Sequence, residues 1–96
     1  MIIYYTETYN KWFRKLKDKV AKVTISRRIE MIEKHSHLGD VRFIGENVYE
    51  IRIHFGAGYR VYFHKRDNEV IILLCGGDKS NQEKDIMLAK ELAKEV

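Results

Sequence analysis

The sequence predicts an α+β fold: a mostly antiparallel sheet with helices packed on one face, namely an N-terminal helical hairpin and a C-terminal helix. Helical periodicity of apolar residues is confined to the two ends of the chain. Short runs of β-branched and aromatic residues, several of them alternating with polar residues, fill the middle. Glycine-containing turn signals separate these runs. Because helices and strands occupy separate parts of the sequence, a segregated α+β architecture is favoured over a parallel α/β sheet.

The N-terminal elements are a short strand and two helices. Ile2–Tyr5 predicts the first strand, and either Thr6 or Thr8 is suited to cap the helix after it. The apolar stripe of that helix consists of Tyr9, Trp12, Phe13 and Leu16. The phase of the pattern shifts near Asp18, which predicts a bend, and a second helix is expected over Val20–Lys34. Its apolar face consists of Ala21, Ile25, Ile29 and Ile32, and its polar face, expected to be solvated, includes Lys22, Arg27, Arg28, Glu30, Glu33 and Lys34.

The second half of the chain predicts strands followed by one helix. A loop over His35–Asp40 leads into a strand at Val41–Gly45. Val70–Cys75 is apolar on both faces, so this strand is expected to be central or covered on both sides. Gly76-Gly77 is interpreted as the turn that ends it. Ser80-Asn81-Gln82-Glu83 matches a capping box and predicts a last helix that runs to about Lys94.

Between these strands, a hairpin is predicted on either side of the Gly56-Ala57-Gly58 turn. Its side chains alternate between two faces because strands have a period of two residues. The apolar face is expected to carry Tyr49, Ile51, Ile53, Phe55, Tyr59, Val61 and Phe63. The opposite face is expected to carry Glu50, Arg52, His54, Arg60, Tyr62 and His64. Two interpretations of the second face remain open from spacing alone: a solvated polar surface, or a functional site.

Composition limits the class of protein. The 96 residues predict a single domain, 1–96, and the formal net charge of +4 is compatible with nucleic acid or with an acidic partner. The lone Cys75 lies in an apolar run and predicts an inert buried thiol in a reducing compartment. We expect no secretion signal and no membrane span, hence a cytoplasmic protein. The histidines lack zinc-type spacing, and no P-loop or dinucleotide motif is present, so neither a metal nor a cofactor is predicted.

Cations on the polar face supply the strongest candidate chemistry. Arg52 and Arg60 lie on facing strands, and Lys79 follows the last strand. Guanidinium and ammonium groups that converge in this way can hold an RNA phosphate and stabilise charge in a phosphoryl-transfer transition state. Glu50, His54 and His64 are candidates for accepting a proton from a 2′-hydroxyl, and Tyr62 for stacking on a base.

Several of these residues occur in segments that resemble the RelE/ParE toxin superfamily, and in particular its HigB-like branch of addiction-module killer proteins. The resemblance rests on YEIRI over residues 49–53, GYRVYF over 58–63 and LLCGGDK over 73–79, with Gln82 and Asp85-Ile86. It is supported by Trp12, Arg28-Ile29 and Gly39-Asp40. It departs at Glu50, where the best-known relatives have a basic residue, and at Asp85, where they have a tyrosine.

The resemblance implies a RelE-like fold and the toxin of a bacterial type II toxin–antitoxin pair. RelE-like members cut mRNA at the ribosome without metal, and Arg52, Arg60 and Lys79 match basic positions of that family. The partners implied are the ribosome, mRNA and a HigA-like helix-turn-helix antitoxin through which operator DNA is bound. Glu50, Asp85 or a histidine is left as the candidate general base. On this basis Arg60→Ala is expected to remove toxicity and leave the fold intact.

Two other functions remain open at this point. The first is a ParE-like inhibitor that binds DNA gyrase and has no nuclease activity. The second is a member that has lost toxicity and acts only as a corepressor with its antitoxin.

Overall fold

The computed structural model describes residues 1–96, and its elements follow the predicted order of one strand, two helices, four strands and one helix. The strands are β1 (Ile2–Tyr5), β2 (Val41–Gly45), β3 (Val48–Ile53), β4 (Tyr59–Arg66) and β5 (Val70–Gly77). The helices are α1 (Glu7–Lys15), α2 (Lys19–His35) and α3 (Gln82–Ala93), with a 3-10 turn at Lys79–Asn81 before α3. None of these helices is long and apolar enough to cross a membrane. The α+β prediction is confirmed.

The five strands form one sheet in the order β1-β5-β4-β3-β2. Only the β1–β5 pair is parallel, and the other three pairs are antiparallel. β5 lies between β1 and β4 and is an interior strand, which explains why its sequence is apolar on both faces. The register pairs Arg52 of β3 with Arg60 of β4, and Arg60 with Gly77 of β5. These three positions therefore form a row across one end of the sheet.

Helices cover both faces of the sheet. The predicted hairpin of α1 and α2 lies on one face, where Ile25, Ile29 and Ile32 pack with Ile51, Val61 and Phe63. α3 lies on the opposite face, where Ala89 packs with Val48, Tyr62, Ile72, Leu74 and Cys75. The interpretation of that second face as a solvated surface is therefore wrong for its centre. The stripe on α3 is narrow and its residues are small, so the helix can approach the sheet closely and bury polar residues beneath it.

The end of β5 differs from the predicted turn. Gly76 and Gly77 are not a turn, since they pair with Val61 and Arg60 inside the ladder. A Cβ on Gly76 would lie 2.4 Å from Cζ3 of Trp12. Glycine is required there because the indole ring packs directly on the strand backbone. The Gly56-Ala57-Gly58 turn is confirmed, with positive φ angles of 57° and 73° at its two glycines.

Two further local predictions are corrected. Phe55 lies beyond the end of β3 and is 39% exposed, so it does not join the core. Ser80 does not cap α3, which begins two residues later after Asn81 and has no side-chain cap. Instead the carboxylate of Asp78 accepts hydrogen bonds from the Ser80 backbone N–H and hydroxyl. The side-chain cap is therefore provided by Asp78, and it caps the 3-10 turn that precedes α3.

The bend predicted near Asp18 is the N-cap of α2. Its carboxylate accepts a hydrogen bond of 3.0 Å from the Ala21 backbone N–H. Asp18→Ala removes this cap, and we expect the free energy of unfolding to fall by about 1 kcal/mol. Urea unfolding followed by circular dichroism measures the change. Lys19→Ala, which alters a neighbouring exposed residue and leaves the cap, is the matched control. Equal stability of the Asp18 variant and the parent would contradict the assignment.

Candidate phosphate-binding site

A small cleft of about 110 Å³ opens at the end of the sheet where β3, β4 and β5 lie side by side. Its cationic lining consists of Arg52, Arg60 and Lys79, and His54 adds an imidazole. We call this site the cationic cleft. The structure thus brings together four of the seven residues that the sequence proposed for the site. Three positive charges converging on one opening favour a phosphate group over a neutral ligand.

The Gly56–Gly58 turn fixes the position of Lys79. The Lys79 backbone N–H donates a hydrogen bond of 3.4 Å to the Ala57 carbonyl. A Cβ on Gly58 would lie 3.5 Å from the Lys79 Cβ and 3.6 Å from Arg60 Nη1. The turn is therefore packed between two of the cations. Arg60 Nη1 also donates a hydrogen bond of 2.9 Å to the Gly58 carbonyl, which orients the guanidinium at the rim.

Glu50 is the buried counter-charge of Arg60. Its side chain is fully buried between the sheet and α3, and its Oε2 lies 3.6 Å from Arg60 Nε. Arg42 Nη2 on β2 lies 3.4 Å from Oε1, and Gln82 Nε2 on α3 donates a hydrogen bond of 3.0 Å to Oε2. A buried carboxylate is tolerated only when it is paired and hydrogen-bonded in this way. Glu50 therefore joins β2, β4 and α3 through one side chain.

Burial corrects the roles predicted for Glu50 and Tyr62. Both side chains lie under α3 with no exposed surface, so Glu50 cannot contact a substrate and Tyr62 cannot stack on a base. Burial, and then the charge of Glu50, raise the pKa of Tyr62 above its ordinary value, so its hydroxyl stays protonated. That hydroxyl lies beside the carboxylate but makes no hydrogen bond of normal geometry. We conclude that both residues support the cleft from beneath.

The two histidines of the hairpin occupy different environments. His54 is exposed at the cleft, and its Nε2 contacts Oδ2 of Asp40. The hydrogen bond with His54 is the main cause of a lowered pKa for Asp40. His64 lies four residues along β4 from Arg60, about 13 Å away at the usual strand rise. Its Nδ1 lies 3.0 Å from the Asn47 carbonyl oxygen. The structure therefore does not bring His64 to the cleft, and the prediction of a site role for it is corrected.

Asp85 lies over the last residue of β5. A Cβ on Gly77 would lie 1.8 Å from Asp85 Oδ2, so the carboxyl group occupies the space of the missing side chain. Burial, followed by the charge of Asp78, raises the pKa of the Asp85 carboxyl group from its ordinary value. The buried thiol of Cys75 donates a hydrogen bond of 3.7 Å to the Asp85 carbonyl. Burial raises the pKa of Cys75 to about 12, so this thiol stays protonated and is not a nucleophile.

Sequence reasoning missed Asp40 and Arg28. The sequence predicts Arg28 on the solvated face of α2, but its guanidinium donates hydrogen bonds of 3.0 Å to the carbonyls of Arg52 and Leu38. A signal for this was present in the sequence. Arg28 lies three residues after Ile25 and four before Ile32, which places it on the apolar stripe that faces the sheet. A charged residue on such a stripe needs buried partners, and the carbonyls of the loop supply them.

Comparison with known proteins identifies the family. Residues 11–94 match the model of the phage-derived Gp49-like proteins. The chain belongs to the Gp49-like family. An uncharacterized protein of Haemophilus influenzae is 44% identical over 91 residues, which span 95% of this chain and 91% of that relative. This Gp49-like chain is therefore matched over nearly its full length by a close relative.

Solved structures of RelE toxins share the fold of this Gp49-like chain. The intact E. coli RelBE toxin–antitoxin complex gives a TM-score of 0.62 at 18% identity and covers 80% of this chain and 94% of that one. The Methanococcus jannaschii RelB–RelE antitoxin–toxin complex gives a TM-score of 0.67 at 20% sequence identity. The match covers 85% of this chain and 96% of the chain in that structure. A mutant E. coli RelE toxin in the free state gives a TM-score of 0.65 at 21% sequence identity. The match covers 94% of this chain and 95% of the chain in that structure. The predicted RelE-like fold is confirmed.

Proposed function

We propose that this Gp49-like chain is the toxin of a bacterial type II toxin–antitoxin pair and acts as a ribosome-dependent, metal-independent mRNA endonuclease of the HigB-like branch. The observation that carries the proposal is the cationic cleft, in which Arg52, Arg60 and Lys79 converge at one end of the sheet. The RelE fold supports it, because similar structures include a RelE toxin crystallised with its antitoxin. The proposed setting is the cytoplasm, with a HigA-like helix-turn-helix antitoxin that links the toxin to operator DNA.

The cleft suits phosphoryl transfer because its charges surround one opening. Arg60 is held in place by Glu50 and by the Gly58 carbonyl, so its guanidinium is oriented before a ligand binds. Lys79 is exposed and adds an ammonium group from the segment that follows β5. In the proposed reaction these cations hold the phosphate that follows the cleaved nucleotide and stabilise the charge that grows on its oxygens. The 2′-hydroxyl of the same nucleotide is the nucleophile, so no metal-bound water is needed.

Induced expression followed by mapping of RNA 5′ ends tests the proposal. We expect rapid growth arrest and new 5′ ends inside translated coding regions. Lys79→Ala should reduce cleavage about 10- to 100-fold and leave the fold unchanged, because one cationic group is lost from an exposed position. Lys11→Ala, which removes an exposed lysine on α1, is the matched control and should cleave as the parent does.

Other outcomes would contradict the nuclease. Intact mRNA together with an SOS response would favour the gyrase inhibitor. An absence of any effect on growth would favour a protein that acts only as a corepressor. Cleavage by the Lys79 variant at the parental rate would refute the assignment of the site, because the cleft would then act without its exposed cation.

A further inference from the structure

A carboxylate–imidazole pair lies at the edge of the cationic cleft. Asp40 ends the loop between α2 and β2, and its Oδ2 contacts Nε2 of His54. We propose that Asp40 positions His54 as the proton acceptor of the cleft: it accepts the Nε2–H bond and leaves Nδ1 with the free lone pair. This assignment rests on the proposed nuclease function, and it adds a positioning residue, Asp40, that lies outside the sheet.

The backbone of Asp40 is held from two directions. The Arg52 backbone N–H donates a hydrogen bond of 3.1 Å to the Asp40 carbonyl, which ties the loop to β3. From α2, Arg28 donates hydrogen bonds to the carbonyls of Leu38 and Arg52, at 3.0 Å each. The pair therefore joins a loop anchored by α2 to the residue that follows β3.

Gly39 permits this arrangement. Its φ angle is +71°, and a Cβ there would lie 2.8 Å from Arg28 Nη2. Any other residue would strain the backbone and displace the guanidinium. The Arg28 anchor and the left-handed turn thus depend on each other, and together they aim the Asp40 carboxylate at the imidazole.

Asp40 also has an electrostatic effect on His54, because the other charged groups around the imidazole are positive. The charged groups that surround His54 are Asp40 from the loop, Arg52 from β3, Arg60 from β4 and Lys79 from the segment after β5. When His54 accepts a proton, it becomes a fourth cation in this group. The Asp40 carboxylate is the one negative charge in contact with it, so it stabilises the imidazolium as it forms. The hydrogen bond with His54, and after it the positive charge of Arg52, lower the pKa of the Asp40 carboxyl group and keep it ionised.

The reaction then proceeds as a transesterification. His54 Nδ1 takes the proton of the 2′-hydroxyl, and the 2′ oxygen forms a bond to the adjacent phosphorus. The bond from phosphorus to the 5′ oxygen breaks, and that oxygen takes a proton from water. The hydroxide that remains takes the proton from the imidazolium and restores neutral His54. The products are a 2′,3′-cyclic phosphate and a 5′-hydroxyl end, with no change in oxidation state.

Two measurements on the full chain test the pair. In single-turnover cleavage of ribosome-bound mRNA, His54→Ala should slow cleavage about 10²- to 10⁴-fold, as expected for loss of a proton acceptor. Asp40→Asn should slow it about 10- to 100-fold, by analogy with the cost of removing a carboxylate that orients a metal-bound histidine. The ¹⁵N chemical shifts of His54 in the free protein should show the Nε2–H tautomer in the parent and a mixture of tautomers in the Asp40 variant. His35→Gln, which changes an exposed histidine at the end of α2, is the matched control.

The outcomes separate this inference from the function on which it rests. Parental cleavage by the Asp40 variant, or an unchanged tautomer in it, overturns the positioning role. Parental cleavage by the His54 variant overturns the proton acceptor. Failure of the parent to cleave mRNA overturns the proposed function itself and the pair with it. The tautomer measurement needs no RNA, so it tests the hydrogen bond even when cleavage is slow.

Discussion

Glu50→Ala is expected to lower the free energy of unfolding by about 3–5 kcal/mol, the usual cost of breaking a buried ion pair from one side. The variant leaves Arg60, which is 9% exposed, without its counter-charge, and it also removes the acceptor of the Gln82 hydrogen bond. Chemical denaturation monitored by circular dichroism measures the loss. Glu69→Ala, at an exposed glutamate in the turn before β5, is the matched control and should change stability by less than about 0.5 kcal/mol.

A double-mutant cycle with Arg60→Ala assigns the effect. If the pair stabilises the fold as its geometry suggests, the double variant should lose less than the sum of the two single variants, with a coupling of about 0.5–3 kcal/mol. Strict additivity would show that Glu50 and Arg60 are energetically independent. A loss below about 1 kcal/mol for Glu50→Ala alone would show that water or a rearranged α3 compensates for the missing carboxylate.

The Glu50–Arg60 ion pair makes the activity of the Arg60→Ala variant harder to interpret. From sequence alone, Arg60→Ala is expected to remove activity and leave the fold intact. The structure adds an expected loss of stability, because the variant leaves a fully buried carboxylate with one cationic partner fewer. Loss of activity in Arg60→Ala would therefore combine a chemical effect with a folding effect. Lys79 is the better probe, since it is exposed and forms no ion pair.

Gly77→Ala is expected to lower the free energy of unfolding by about 3 kcal/mol. The added methyl group would lie 1.8 Å from Asp85 Oδ2, far inside contact distance, so either the Asp85 side chain must rotate out of its buried position or α3 must move away from β5. Overpacking of this kind costs about 1–3 kcal/mol, and the very short contact favours the upper end. Thermal and chemical denaturation of the purified variant measure the change.

Asp85→Ala supplies the control, because it removes the atoms that the new methyl group would meet. We expect the single Asp85 variant to be close to the parent in stability, since its buried Oδ2 has no hydrogen-bond partner to lose. The double variant should recover most of the stability that Gly77→Ala loses. If the double variant is as unstable as Gly77→Ala, the clash with Asp85 is not the cause, and the conformational freedom of glycine would be the alternative explanation.

Much of the fold could be predicted because its apolar pattern is regular. The stripes of α1 and α2 and the alternation in β3 and β4 each correspond to a buried surface in the structure. The face covered by α3 could not be predicted in the same way. Its sequence places Glu50 and Tyr62 where a solvated surface is normal, and only the tertiary contacts of α3 reveal their burial: Gln82 bonds Glu50, and Ala89 packs in the same cluster as Tyr62.

The site was predictable in part for a similar reason. Arg52 and Arg60 are neighbours because hairpin register follows from the turn between them, and Lys79 follows from the position of β5 beside β4. Asp40 lies far from this hairpin in sequence and reaches it through a loop whose path depends on Arg28. Loop paths of this kind are set by tertiary hydrogen bonds, so neither periodicity nor spacing shows them.

The parallel pairing of β1 with β5 limits when the sheet can form during synthesis of the chain. Residues 2–5 pair with residues 70–73, so β1 has no partner in the sheet until β5 has been synthesised. Contacts between such distant segments form slowly, because a long loop must close first. Lys79 lies beyond β5, so the cationic cleft cannot be complete on a nascent chain while residue 79 is still inside the ribosome. Assembly of the site therefore follows the synthesis of β5.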